Sequence, residues 1–190
     1  GGISSILIAA PLLEKYGLKG KFYISTAYLG TKGFLNGEQV KQLFQRGHYV
    51  GSHSHTHPER MSILAEKEID DEWAVSQAIL KEIIGQSPNL ASIPNGYVSE
   101  RVLDGMLKSG IEMIDTSAIM AKEKHYKTST LRGRYAITED TTINQIMKII
   151  SSPSYRFVKR LRYMLLEIAE MILGNSYITL RRKIFEICKI

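Results

Sequence analysis

Short apolar, β-branched runs alternate along the chain with longer stretches in which apolar positions recur every three or four residues. KFYIST (21–26), YVGSH (49–53), LASIP (90–94), IEMID (111–115) and RYAIT (134–138) predict strands. Asn36 stands as an N-cap with Gln39 at the capping-box position, before a helix with Val40, Leu43 and Phe44 on one face and Gly47 as its stop. A longer helix is predicted over about 63–84, with Ile69, Trp73, Leu80 and Ile84 inward and Gly85 closing it. Ser99 caps a third helix, with Val102, Leu103, Met106 and Leu107 on one side and Gly110 at its end. KEKHYKTST reads as a polar loop, TTINQIMKII as a short helix, and Leu161, Met164, Leu165, Ile168 and Ile172 as the stripe of a last helix ending at Gly174. The alternation predicts an α/β fold with a parallel sheet, and such folds gather their sites at the C-terminal ends of strands. His53–His57 and Pro94–Tyr97 both fall at such ends.

Composition adds few constraints. The 190 residues suit one domain, and 44% hydrophobic with 23% charged residues is ordinary for a globular protein. The single cysteine, Cys188, excludes an internal disulfide framework and a cysteine-based zinc site. No apolar run approaches a membrane span, and the opening GGISSILIAAP lacks the basic segment of a secretory signal, as expected of a processed chain or a fragment. The compartment stays open between the cytoplasm and the cell envelope. Charge is more telling, because nearly all of the net +6 lies in residues 153–190. This basic, amphipathic helical extension could make peripheral contact with an anionic membrane, or simply present a solvated helix face. No aromatic-rich basic motif points to nucleic acid.

The candidate chemistry lies in RGHYVGSHSHTHPER (46–60), which holds four of the five histidines. Neutral imidazole is the commonest metal ligand, and catalytic zinc takes three protein ligands and a water. Two geometries are open. An extended segment puts His53, His55 and His57 on one face, whereas a helical one brings together His53 and His57, at i and i+4, and turns His55 away. The helical H-E-x-x-H zinc motif fails because Ser54 occupies the Glu position. The H-x-H-x-D-H pattern of metallo-β-lactamase-like hydrolases fails because His57 stands where its Asp is needed.

GHYVGSHSHTHP (47–58) resembles the second motif of the polysaccharide deacetylases, the NodB-like carbohydrate esterases of family 4. APLLEKYGLKGKFYIST (10–26) and IIGQSPNLASIPNGYVSERVLDGMLKSGI (83–111) are similar to further stretches of that family, in the same order. The resemblance implies a partial, distorted parallel (β/α) barrel over residues 1–152, without its first strand, followed by the 153–190 extension. It also implies a metal-dependent hydrolase that removes N-acetyl or O-acetyl groups from a sugar or polysaccharide. His53 and His57 would hold a divalent metal, zinc in most members, with His55 a bystander and Ser54 steadying the loop. Pro94, Asn95, Gly96 and Tyr97 would line the substrate groove, with a backbone N–H near them aiding the oxyanion. Arg134 in LRGRYAIT resembles an active-site arginine of a subgroup linked to exopolysaccharide synthesis.

Three departures accompany the resemblance. The family's T-F-D-D-G motif supplies the general base and a third metal ligand, and its two aspartates would fall immediately before Gly1, so the catalytic base is expected upstream. Ser92 replaces the family's arginine two residues before the motif proline, and neither the Asp-Trp motif nor the Leu-x-His acid is present. An alternative is therefore a catalytically impaired carbohydrate- or metal-binding module of the same fold. His125 in its polar loop and Asp115 at a strand end, the latter expected to cap, are secondary candidates.

Overall fold

A computed structural model describes residues 1–173. The basic residues beyond that point, Cys188 and the helix stop at Gly174 lie outside the described residues. The chain forms two compact units, residues 1–117 with 122–134, and residues 118–121 with the chain from 135 onward.

The first unit opens with a π-helical turn, Ser5–Ala9, running into α1 (Ala10–Lys15). It continues with β1 (Lys21–Ile24), α2 (Gly37–Gln45), β2 (Tyr49–Ser52), α3 (Glu66–Ile84), β3 (Leu90–Ser92), α4 (Glu100–Lys108), β4 (Met113–Asp115), β5 (Lys124–Tyr126) and β6 (Ser129–Arg132). The sheet order is β1-β2-β3-β4-β6-β5, with every pair parallel except β5–β6. This is the expected α/β, partial (β/α) barrel with one antiparallel edge.

Local chemistry sets the helices. Asn36 accepts from Gln39 N–H while the Gln39 side chain accepts from Asn36 N–H, a reciprocal cap that satisfies two otherwise orphaned donors at α2. Ser99 accepts from Val102 N–H at the start of α4. Gly85 closes α3 in the left-handed region, which its missing Cβ permits.

Strand alternation divides the sheet into two faces. Phe22, Ile24, Val50, Ala91, Ile114 and Leu131 are buried on the helix-covered face. There Phe22, Ile24 and Val50 cluster with Ala10, Leu35, Val40, Leu43, Leu80 and Ile84. The register puts Lys21, Tyr23, Gly51, Leu90, Ser92, Met113, Asp115, Thr130 and Arg132 on the opposite, more polar face. Gly51 is required at its place, since a Cβ there would meet the Leu90 carbonyl oxygen at 2.7 Å.

Three expectations are corrected. No strand forms over 134–138; the last two strands lie inside the segment read as a polar loop and just beyond it. Their two-residue turn, Lys127–Thr128, has Lys127 at φ 52°, without the Asn-Gly or Asp-Gly signature that marks such turns. His125 therefore sits on an exposed edge strand. The long helix begins at Glu66, after a 3-10 turn at Met61–Ile63, because the loop after the histidines turns before it winds.

The second unit contains α5 (Ile143–Ser151) and α6 (Pro153–Leu173). Helix α6 starts at Pro153, eight residues before the first residue of the apolar stripe that predicted it, since proline fits a first helical turn. Arg156 donates to the carbonyls of Ile149 and Ile150, capping the end of α5. Ile143, Met147 and Ile150 on α5, and Phe157, Val158, Leu161 and Leu165 on α6, are exposed. Among the described residues no helix is long and apolar enough to cross a membrane.

Candidate metal and substrate site

Strand β2 stops at Ser52, and the next five residues are neither strand nor helix. Ser54 and His57 both take left-handed φ, 63° and 59°. This tight loop brings His53 and His57 together by a route that neither the extended nor the helical geometry describes. Their rings meet edge to face with centroids 4.9 Å apart. Ser54, fully buried, accepts from His57 N–H through its hydroxyl, and its own N–H donates to the Ser52 hydroxyl. His55 turns to the Thr26 hydroxyl, 2.9 Å from its Nδ1.

The His53 ring is held by one hydrogen bond. Its Nδ1 lies 2.7 Å from the Ser92 carbonyl, which can only accept, so Nδ1 carries the proton and Nε2 presents its lone pair. Burial, with the nearby charges of His57 and Arg134, pulls its pKa down to about 4 against the opposing pull of the Ser92 bond. The ring is therefore neutral at neutral pH. Gly1 packs beside Tyr23, Ile24 and Leu35 at the C-terminal end of β1. Among the described residues no group of three or more His, Cys, Asp or Glu side chains assembles to hold a metal. The two imidazoles could serve as donors to a metal, with the Nε2 lone pair of His53 left free by its tautomer.

The polar sheet face adds residues that sequence reading did not join. Asp115 is buried and accepts from Lys21 at 3.0 and 3.2 Å and from the Tyr23 hydroxyl, so it ties β4 to β1 and does not cap a strand end. Burial and Asp115 push the Tyr23 phenol far above its usual range. Arg134 donates to the Thr116 carbonyl at 3.1 Å and to the Ser92 hydroxyl at 2.7 Å, and its guanidinium lies 5.7 Å from the centre of the Tyr23 ring. Position 92 thus lacks an arginine of its own but is served by one arriving from beyond β6. Ser92 joins the two features, its carbonyl taking His53 and its hydroxyl taking Arg134.

Pro94–Gly96 forms a 3-10 turn at the end of β3. Asn95 has φ 54° and donates to the Glu59 carbonyl at 2.9 Å, tying this turn to the histidine loop. Gly96 has φ 77°, and a Cβ there would overlap Ser117 at 2.5 Å, so the motif glycine is a steric necessity. The Arg60 guanidinium lies 5.0 Å from the Tyr97 ring centre. A separate cleft of about 350 Å³ opens between the loop and α3, lined by His55, Thr56, Pro58 and Glu68 among others; neither His53 nor His57 reaches it. Glu72, also on its wall, accepts from the N–H groups of His55 and Thr56, each at 2.8 Å, and from the Thr56 hydroxyl.

The polysaccharide deacetylase family model matches residues 8–114. The chain is 34% identical over 137 residues to an uncharacterised 30.6 kDa protein of Geobacillus stearothermophilus, covering 71% of this chain and 48% of that one. It is 30% identical over 105 residues to the polysaccharide deacetylase candidate YxkH of Bacillus subtilis, covering 55% and 37%. The chain thus spans half or less of the length of these curated relatives. Among solved structures, the Streptococcus pyogenes deacetylase PplD in complex with acetate superposes with a TM-score of 0.65 at 19% identity, covering 77% of this chain and 65% of that one. IcaB from Ammonifex degensii gives 0.63 at 21% identity, covering 77% and 67%. These likenesses agree with the barrel topology, and with the family match over more than half its length the chain belongs to the polysaccharide deacetylase family, the NodB-like carbohydrate esterases.

Proposed function

We propose that this chain carries the metal-binding half of a hydrolase that removes N-acetyl or O-acetyl groups from a sugar or polysaccharide. The observation that carries the reading is the histidine pair: two imidazoles edge to face, one with its Nδ1 proton committed to Ser92, at the C-terminal ends of the strands. His53 and His57 would hold a divalent metal, with zinc favoured by the two imidazole donors. Such an ion, when bound, polarises the acetyl carbonyl and lowers the pKa of bound water towards about 7. The Pro94–Tyr97 turn would line the sugar groove beside the loop it is tied to, and Arg134 would face the substrate across Tyr23. The chemistry also calls for a carboxylate base, which the family draws from its T-F-D-D-G motif.

The absence of a third ligand group among the described residues favours a second reading, a catalytically impaired module of the same fold. Relatives of that kind exist: a family 4 pseudoenzyme, BA3943, superposes in mutant form with a TM-score of 0.53 at 20% identity. Zinc content and acetate release from N-acetylglucosamine oligomers, measured on this chain and on a version extended upstream of Gly1, separate the two. The first reading expects turnover from the extended protein only, abolished in His53→Ala/His57→Ala. Zinc binding and turnover unchanged in that double variant would sink it. For helix α6, the exposed Phe157, Val158, Leu161 and Leu165, interspersed along the chain with Lys159, Arg160 and Arg162, fit a peripheral contact with anionic lipid. Binding to phosphatidylserine vesicles that weakens with salt is the expected result, and no binding at low salt refutes it.

A further inference from the structure

Besides its internal bond from His57 N–H to the Ser54 hydroxyl, the loop between His53 and His57 is held by contacts from outside itself, and those on the α3 side come from one helix face. Glu72 and Ser76 lie one turn apart on α3, so their side chains project together. Ser76 meets the Ser52 hydroxyl at 2.7 Å, at the root of the loop. Glu72 takes the loop's apex: one carboxylate oxygen accepts from two consecutive backbone N–H groups, those of His55 and Thr56, and the other accepts from the Thr56 hydroxyl. On the other side the segment after β1 donates to the loop's carbonyls, from Thr26 N–H to Ser54 at 3.3 Å, from Ala27 N–H to His55 at 3.0 Å and from the Tyr28 hydroxyl to Thr56 at 3.4 Å. The apex is thus clamped between the segment after β1 and a carboxylate on α3. The helix itself is fixed by its fully buried neighbours Ile69 and Trp73.

We propose that Glu72 is a positioning residue for the histidine pair. Its carboxylate supplies the anion around which the two apex amides turn, and that turn imposes the left-handed backbone at Ser54 and His57 that no β-carbon-bearing residue adopts readily. Without it the apex amides turn to water, the two strained residues relax, and His57 swings relative to His53, whose ring stays anchored on Ser92. Glu72 does not touch the metal position. It acts through the separation of the two rings, and this consequence rests on the proposed metal-binding role of His53 and His57.

The experiment compares Glu72→Ala, Glu72→Gln and the unaltered chain by zinc titration and by amide hydrogen exchange at His55 and Thr56, with the fluorescence of the lone tryptophan, Trp73, reporting that α3 is folded. Exchange needs no metal. Glu72→Ala is expected to lose protection at both amides and to bind zinc about tenfold or more weakly. Glu72→Gln keeps one acceptor oxygen for the two amides, while its NH₂ can donate to the Thr56 hydroxyl, so its zinc affinity should fall only roughly threefold. Unchanged amide protection in Glu72→Ala overturns the proposal, as does lost protection with unchanged zinc affinity. If Glu72→Ala does not fold, a tenfold loss in Glu72→Gln with protection intact refutes it equally, since geometry would then not be the cause. A His53→Ala/His57→Ala control keeps the two claims apart: zinc binding equal to the unaltered chain's would remove the metal reading, while the exchange data would still judge Glu72 as the loop's clamp.

Discussion

The two ends of strand β2 carry the same side chain in opposite circumstances. At its start, His48 is buried with both ring nitrogens engaged: Gly20 N–H donates to Nδ1, and Nε2–H donates to Glu14 at 3.0 Å. Phe22 packs against it edge to face. At its far end, His53 gives only Nδ1 to the protein, and its partner His57 faces it across an open edge. A histidine with both nitrogens bonded is a cross-link, whereas one with a single bonded nitrogen is a ligand already oriented. Five residues of sequence separate the two roles, and the difference lies in what the neighbouring strand ends offer: an N–H and a carboxylate at one, a lone carbonyl at the other.

The contrast is broken most directly by exchanging the losses. His53→Ala/His57→Ala should cost at least about 100-fold in zinc affinity by titration calorimetry with little change in Tm, because it removes ligands from a loop end and leaves the cores intact. His48→Ala should do the reverse, leaving zinc affinity within about twofold while destabilising the fold by about 2–4 kcal/mol through a cavity beside Phe22 and an unpaired Gly20 N–H. Equal effects on both measurements from both variants would dissolve the distinction.

Between the two ends lies Gly51, whose Cβ position overlaps both the Leu90 backbone oxygen and its side chain. Gly51→Ala must push β2 from β3, and about 2 kcal/mol of destabilisation is expected, a Tm drop of roughly 4–8 °C in thermal melts. Because His53 hangs from the same strand, zinc affinity should fall too, and a variant losing stability alone would show that the far end of β2 is positioned independently of its middle.

At the structural end, acid is the gentler probe. Hydrogen bonds from Arg46 and then His48 hold the Glu14 carboxyl down at about 2, below its ordinary 4.5. A depressed carboxylate contributes stability that is complete above pH 4.5 and drains away as pH falls towards 2. Glu14→Gln should therefore flatten that limb of a Tm-versus-pH curve and leave neutral-pH zinc binding unchanged. The effect is small because the pair is partly solvated. An acid limb as steep as the unaltered protein's would mean other carboxylates dominate it.

What could be read from the sequence follows the same division between local and distant causes. The α2 cap at Asn36 and Gln39, the cap at Ser99 and the stop at Gly85 were legible because each is closed within a few residues. The glycine-rich ends of the histidine and Pro-Asn-Gly motifs were legible through their resemblance to a family. The β5–β6 hairpin was not, since Lys127 takes a left-handed φ that nothing in its identity announces. Nor were the fixtures of the site. Asp115 meets Lys21 and Tyr23 across more than ninety positions of chain, and Arg134 meets Ser92 across 42. Glu72 reaches the histidine loop from 16 and 17 residues away, and the only local sign of it was its i, i+4 spacing to Ser76, a polar residue in the helix's buried stripe.

The smallest expected effect tests the residue between the two proposed ligands. His55 shares the loop, the ring and the proximity to the site, yet its Nδ1 faces the Thr26 hydroxyl and its backbone serves Glu72 and Ala27. Its side chain can be removed without disturbing those backbone bonds, so His55→Ala loses one partly buried hydrogen bond, about 1 kcal/mol. Zinc affinity should change less than about threefold, and the exchange of the His55 and Thr56 amides should stay protected. A loss as large as that of His53→Ala would mean that the ring leaves Thr26 and joins the metal in solution. All three alternate histidines would then act on one face, and the left-handed turn at Ser54 would be one state of the loop among at least two.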